Sequence, residues 1–494
     1  MAVNFPGNPG GFFAPNRFEA YIHDCEVEGE IPSDLKGTFY RTGGDRRYPP
    51  RFPDDAPFND DGFVDMFRIA DGHVDFRSRY VRTERFVAER KARRALFGYY
   101  RNQYTEDASI KGKGLSLNVA NTNVIYHGGK LLVLKESDPP IAMDPTTLKT
   151  EGDWLFDGDI PDTRPFTAHP KVDPITGEMI AFGYEAKGDG STDMVFYWIT
   201  HEGKISKTVW VKAPNVCMMH DIAVSEEHIV IPTTGYVSSV ERLKEGKVHW
   251  GFDPHKPTFM GIMRRDGDGS DLTWYDAPRG AVIHTVNAMS DGDKVIVDSP
   301  VSPSNPFPFF PNVDDAPWDP AGGMATIRRW TFDISKKSGA GEEKILFPKN
   351  GGGGLARMDD RYIARPYRYS FMGVVDPSLP FNAEKAGNMR GRVTNAYAIF
   401  DHAQGGVKTI FAGETHSLSE GVFAPRKPDA PEMDGYIIGV ANNFAEMRSE
   451  LTISDATKPE EGVIARVLLP FRLHAQVHGN WVPHEQLWPE GEMS

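Results

Sequence analysis

Histidine carries the most legible chemistry in this sequence. His169 opens HPKVDPITGEMIAF, His220 opens HDIAVSEEHIVIP and His284 opens HTVNAMSDGDKVIVD. Each is followed by a short strand, a turn rich in Asp, Glu, Gly or Ser, and a returning apolar strand. An imidazole at the same end of similar hairpins is what a metal centre built from neutral nitrogen donors requires. A fourth candidate is His478 in QVHGNWVP, where Gly479 permits close backbone approach near the end of the chain. Cys25 and Cys217 are the only cysteines, too few for a thiolate site. Four imidazoles suit Fe, Zn, Cu or Ni alike, so spacing does not name the metal. His402, His416, His474 and His484 lack the hairpin context and read as structural or surface residues.

An all-imidazole donor set brings no negative charge. Carboxylates behind the rings must fix their tautomers and balance charge. Glu136 ends an apolar run in LLVLKESDPP, and Glu420 sits beside a Val-Phe pair in SLSEGVFAPR. The plain alternative for either is an exposed acid at a strand end. Lys135 reads as the ion-pair partner of Glu136 or, in an apolar cavity, as a cation that needs an anion or a phenol. Neighbours on a regular strand face opposite ways, so both reach one site only where the strand end twists or bulges. Phe58 or Phe63 near the NDDG turn, with Phe307, Phe309 and Phe310 in NPFPFFPN, could wall a slot for flat rings. They could equally plug a face of the fold against water.

The elements that must position these residues are strands. The 494 residues include 49 Gly and 38 Pro, a turn-rich composition below the level of disorder. Strand runs bounded by turns occur at 130–134, 178–182, 194–200, 294–298 and 436–440. Residues 1–16 read as an extended arm, and residues 17–494 as one domain without linkers. Helical periodicity is confined to a mixed-charge stretch from Arg85 to Tyr99, read as a solvated helix. Gly351 to Gly354 lacks the Lys and Ser/Thr of a phosphate loop and reads as an ordinary loop. A radial β-propeller aims hairpin ends at its axis and is the preferred architecture. The net charge of -14 disfavours nucleic acid, and a mean hydropathy of -0.44 leaves no room for a membrane span. Without a secretory signal, the expected compartment is the cytoplasm.

The ordered set of segments resembles the carotenoid cleavage oxygenase family. VEGEIPSDLKGTFYRTGG resembles the family's first-blade start, NDDGFVDMFRI its next segment, and ANTNVIYHGGKLLVLKESDPP the strand that carries a supporting Glu. The resemblance runs from about Glu26 to Pro483 and includes the four His contexts. It implies an all-β, seven-bladed propeller with loops and short helices capping the substrate face. It also implies Fe(II) held by His169, His220, His284 and His478, with Glu136 and Glu420 hydrogen-bonded to ligand rings. Thr122 matches a position near the open coordination site. The family's third supporting Glu falls on Gly354, so one ring, His284 by this reading, needs another acceptor such as a carbonyl or water. Lys135 and the segment FGYYRNQYTED resemble the lignostilbene-cleaving branch, where a Lys and a Tyr meet a phenol. Tyr104 is the expected tyrosine and Tyr100 the other candidate. The implied reaction cleaves the central C=C bond of a 4-hydroxystilbene with dioxygen into two aromatic aldehydes. The expected partners are dioxygen and a small aromatic alkene, with a homodimer as an option. The alternatives are cleavage of an apocarotenoid or other non-phenolic alkene at the same iron, and a propeller that binds ligands without catalysis.

Overall fold

The computed structural model describes residues 14–161, 165–277, 279–387 and 394–488. The arm expected over residues 1–16 therefore lies, as far as residue 13, outside the described residues. The apolar runs form strands Lys130–Leu134, Met179–Gly183, Asp193–Ile199, Lys294–Ser302 and Gly435–Asn443. Antiparallel pairing assembles these and their neighbours into the seven blades of a β-propeller, each of four or five strands. Blades pack face to face, so strands such as Met179–Gly183 are buried on both sides and read as continuous apolar sequence without alternation. Leu132, Leu134 and Ala142 of one blade, for example, share a core with Ala181, Val195 and Tyr197 of the next.

The two chain ends interlock. The last strand, Gln476–Pro483, pairs with Gly37–Gly44 of the first blade. Near the N-terminus, Glu26–Gly29 pairs with Ala465–Leu468 of the last blade. Unfolding either end therefore removes a strand from the opposite end's sheet, which holds the ring shut. Within the blade that delivers Lys135 and Glu136, strands Asn123–His127 and Lys130–Leu134 are joined by Gly128 and Gly129 at φ 57° and 75°. This two-residue turn requires positive φ at both positions, and a Cβ on Gly128 would lie 2.9 Å from the Gly203 backbone.

Two sequence expectations are corrected here. The helix is Glu84–Ala92, shorter than expected; it starts where the Thr83 hydroxyl accepts from the Phe86 amide at 3.1 Å and stops at Arg93, whose φ is 55°. It is also not a solvated helix. Arg85, Phe86 and Glu89 are buried, and Glu89 Oε1 accepts from the amides of Leu96 at 2.9 Å and Phe97 at 3.2 Å. Charges that look solvent-facing in sequence instead tie down the loop that follows. The glycine run is the second correction. Gly352–Met358 is a strand, with its register shifting between Gly352 and Ala356. A Cβ on Gly352 would lie 2.4 Å from the Gly373 carbonyl oxygen, so close pairing demands the glycine that sequence reading takes for a loop. Among the described residues, no helix is long and apolar enough to cross a membrane.

Candidate metal centre

His169 and His220 lie just ahead of the short strands Lys171–Val172 and Ala223–Val224, separated from them by Pro170 and by Asp221 and Ile222. His284 lies between Ala281–Val282 and Asn287–Asp291, and His478 lies within Gln476–Pro483. The shared hairpin position thus brings together imidazoles that are distant in sequence. One ligand nitrogen from each falls within 4.8 Å of all the others. Nε2 of His169 and Nε2 of His220 stand 2.9 Å apart. Nε2 of His284 and of His478 are buried with no hydrogen-bond partner.

Three rings have partners behind them. His220 Nδ1 donates to Glu136 Oε2 at 2.5 Å, His478 Nδ1 to Glu420 Oε1 at 2.9 Å, and His284 Nδ1 to the Gly354 carbonyl at 3.1 Å. A proton on Nδ1 leaves Nε2 as a lone pair, so these contacts turn acceptor nitrogens toward a common centre. Gly354 does stand behind His284, but it supplies its backbone oxygen where a carboxylate is expected by resemblance. The strand irregularity at this point, with Gly354 at φ 81°, aims that oxygen. Burial, and then repulsion among the rings, hold His169 and His284 well below the ordinary histidine pKa, which keeps them neutral. Burial works to raise Glu136, but His220, Lys135 and Arg101 outweigh it and hold that carboxyl low. Converging neutral donors, orphaned inward nitrogens and buried anions behind the rings together fit a divalent cation.

On one flank, around Lys135 and Tyr100, side chains pack closely into the Lys135 pocket. Lys135 and Glu136 follow the end of strand Lys130–Leu134 in a turn closed by the Asp138 amide donating to the Lys135 carbonyl at 3.3 Å. Both side chains can therefore face inward without a bulge. Lys135 Nζ, 4% exposed as a residue, donates to Phe58 O at 3.3 Å and to Asn121 Oδ1 and Thr122 Oγ1 at 3.4 Å. It lies 4.7 Å from the centroid of the Tyr100 ring. Tyr100 in turn donates from its hydroxyl to Glu136 Oε1 at 2.8 Å. Burial, with help from Arg101 and Arg85 against Glu136 and Asp138, pushes the Lys135 ammonium down to about 8. Phe58 packs against Phe307, Phe309 and Phe310 at centroid distances of 5.3, 4.9 and 6.3 Å.

Two expected residues do not join this group. Tyr104 is 38% exposed on the turn Gln103–Thr105; the chain bends at Asn102, whose side chain accepts from the Tyr104 amide, and Tyr100 enters the pocket instead. Phe63 packs against Tyr80 and His474 at 4.5 and 4.6 Å, in a separate core patch of the first blade. Sequence reading also missed Arg101 and Asn121. Arg101 donates to the Tyr184 hydroxyl and to Glu185 Oε2, both at 2.9 Å, and lies 3.9 Å from Glu136. Its place beside Tyr100 was the available signal.

On the opposite flank, a cavity of about 800 Å³ reaches His169, His284 and His478 and is lined by Lys171, Asp221 and Arg357 among others. Its charges are paired: Lys171 with Asp221 at 2.8 Å, Arg357 with Glu420 at 3.5 Å, and Arg361 with Asp359 at 2.6 Å.

A family model described as retinal pigment epithelial membrane protein matches residues 13–483. The chain is 40% identical to resveratrol cleavage oxygenase 1 of Aspergillus fumigatus, over 100% of this chain and 99% of that protein. It is 39% identical to lignostilbene-alpha,beta-dioxygenase isozyme III of Sphingomonas paucimobilis, over 98% of this chain and 99% of the other. Among solved structures, the lignostilbene dioxygenase of Pseudomonas brassicacearum superposes with a TM-score of 0.92 at 39% identity, covering 98% of this chain and 100% of that one.

Proposed function

The chain belongs to the retinal pigment epithelial membrane protein family, that of the carotenoid cleavage oxygenases, and from this premise we propose that it is an iron dioxygenase cleaving 4-hydroxystilbenes. Relatives named for resveratrol and lignostilbene cleavage support the stilbene class. The observation that carries the reading to this chain is Lys135, a buried ammonium held by neutral oxygens, beside Tyr100, whose hydroxyl donates to Glu136 and so links to His220.

Nε2 of His169, His220, His284 and His478 would hold Fe(II), which supplies dioxygen binding and activation when bound. The remaining work belongs to the chain. Tyr100 and Lys135 receive the substrate's 4-hydroxyl, and the ammonium favours its phenolate form. Electron density then moves through the conjugated ring toward the alkene. Phe58 and Phe307 lie against the flat rings and exclude water, while Thr122, in contact with Lys135, borders the same pocket. The C=C bond breaks, two C=O bonds form, and both oxygen atoms of dioxygen end in the two aldehydes, so no external reductant is needed. Cys25 and Cys217 are free and buried, and the absence of a disulfide among the described residues is compatible with a reducing cytoplasmic setting.

The test compares a 4-hydroxystilbene, its 4-methoxy analogue and an apocarotenal on iron-loaded protein. The expected result is cleavage of the hydroxystilbene to two aldehydes, with the methoxy analogue slower by about 10²–10³ in kcat/KM. Equal rates on the two stilbenes, or a preference for the apocarotenal, would replace the phenolic reading with the non-phenolic one. Failure to retain about one metal equivalent would remove both.

A further inference from the structure

Lys135 has no carboxylate within 4 Å among the described residues, an unusual state for a buried ammonium. Its contacts at 3.3–3.4 Å are long for hydrogen bonds and leave much of its charge unsatisfied. Asn121 is central to this arrangement. Its Oδ1 faces Lys135 at 3.4 Å and accepts from Thr122 Oγ1 at 3.2 Å. Its Nδ2 donates to the carbonyls of Phe58 at 2.9 Å and Asp60 at 2.8 Å. The side chain is buried, and the Phe58 carbonyl that it holds is itself an acceptor for Lys135. One amide therefore ties the ammonium to the loop that carries the aromatic wall.

We propose that Asn121 is a positioning and specificity residue: it fixes Lys135 against the Phe58 wall through a neutral oxygen and so leaves the positive charge available to a phenolate oxygen of the substrate. The inference rests on the phenolic reading above. An amide is suited to the role because it accepts from the ammonium without cancelling its charge and donates to two carbonyls. An aspartate of the same shape would accept equally well, but it would bring an anion to the ammonium and lose both donated hydrogen bonds. The other charged groups around Lys135 are Glu136, Asp138, Arg101 and Arg85; the first two raise its proton affinity and the last two lower it. Glu136 is already engaged by His220 and Tyr100, and Asp138 by Ser116 and Ser137. Position 121 is thus where an added carboxylate would meet the ammonium directly.

The experiment is an anaerobic titration of iron-loaded protein with a 4-hydroxystilbene across pH. The ligand's absorbance shift reports the pKa of the bound phenol without turnover. In the unaltered protein the bound phenol is expected at least one unit below its free value, a tenfold preference for phenolate. Asn121→Asp should return it to the free value and reduce the hydroxy-over-methoxy preference in kcat/KM by about 10-fold or more. Asn121→Ala removes the tie without adding charge. It should weaken stilbene binding several-fold while keeping the bound phenol shifted. The inference is overturned if Asn121→Asp retains both the phenol shift and the preference within twofold, or if Asn121→Ala binds like the unaltered protein. The alanine variant keeps the test decisive should the aspartate variant not fold. Lys135→Met separates the two levels. If the unaltered protein shows no phenol shift and Lys135→Met cleaves as fast, the phenolic reading itself has failed. If Lys135→Met loses the shift while Asn121→Asp keeps it, only the role of Asn121 falls.

Discussion

The two flanks of the histidine cluster solve the burial of charge in opposite ways. Toward Tyr100 and the Phe58 wall, the pocket is packed and holds an ammonium with only neutral acceptors. Toward the large cavity, Lys171, Arg357 and Arg361 each have an acid within 4 Å. A paired charge is a structural element, already spent on its partner, whereas an unpaired one in a poorly solvated pocket acts on whatever enters. On the proposed function, then, the partners of a charge, and not its distance from the histidines, decide which cation acts on substrate.

The widest test of the contrast sets Lys135→Met against Lys171→Met. Per bound metal, the first should lower kcat/KM on a 4-hydroxystilbene by about 10²–10³, as removal of a preorganised electrostatic donor does. The second should change it by less than about threefold while lowering stability, because it strands Asp221 in a buried position. Comparable losses per bound metal from both variants would erase the distinction between the flanks.

The same contrast explains what could be read from sequence. The hairpins begun by His169, His220 and His284 are local patterns, and each local pattern sits at an equivalent place in its blade. Glu136 and Glu420 stood out only as acids beside apolar runs, costly there without partners; their bonds to the ligand rings were implied by the family resemblance alone. Tyr100 was not separable from Tyr104, since a bend at Asn102 decides which tyrosine turns inward. Phe63 stands only five residues from Phe58, but strand pairing carries it into the first blade's core. The glycine run hides a strand because the close backbone approach that demands glycine also removes every side chain that would announce one. Asn121 was invisible for a different reason: its meaning lies in hydrogen bonds to a loop about sixty residues earlier.

A second test uses the two carboxylates, one on each flank. Glu136 faces the packed pocket, whereas Glu420 borders the cavity beside Arg357. Replacing either with Gln keeps the shape and removes the anion behind a ligand ring. Iron affinity, measured by chelator competition, should fall about 10–100-fold. Both carboxylates are buried, and Glu136→Gln should fall toward the upper end and Glu420→Gln toward the lower, because the Glu136 bond to His220 at 2.5 Å is shorter than the Glu420 bond to His478 at 2.9 Å. The reverse order would mean that the length of the bond to the ring does not set its grip on the metal.

Stability should also respond, with opposite signs on the two flanks. Burial, the leading cause, holds the folded-state pKa of Lys135 near 8, against an ordinary 10.5. Between about pH 8 and 10.5 the unfolded chain retains a proton that the folded protein has released, so stability rises with pH through that window. Below it, the ammonium is charged in both states and its full desolvation cost opposes folding. Met is of similar length, fills the same space and carries no charge. Lys135→Met should therefore be the more stable protein at pH 7, by about 1–3 kcal/mol, with the advantage shrinking as pH climbs from 8 toward 10.5. Thermal melts of the two proteins at pH 7 and pH 10 measure that closing gap. Activity on the hydroxystilbene should follow the opposite course, declining in the unaltered protein as the ammonium is lost above about pH 8. A Lys135→Met protein that melts lower at pH 7, by an amount that does not change with pH, would show that this lysine is paired as Lys171 is, and the two flanks would then differ in shape but not in how they treat charge.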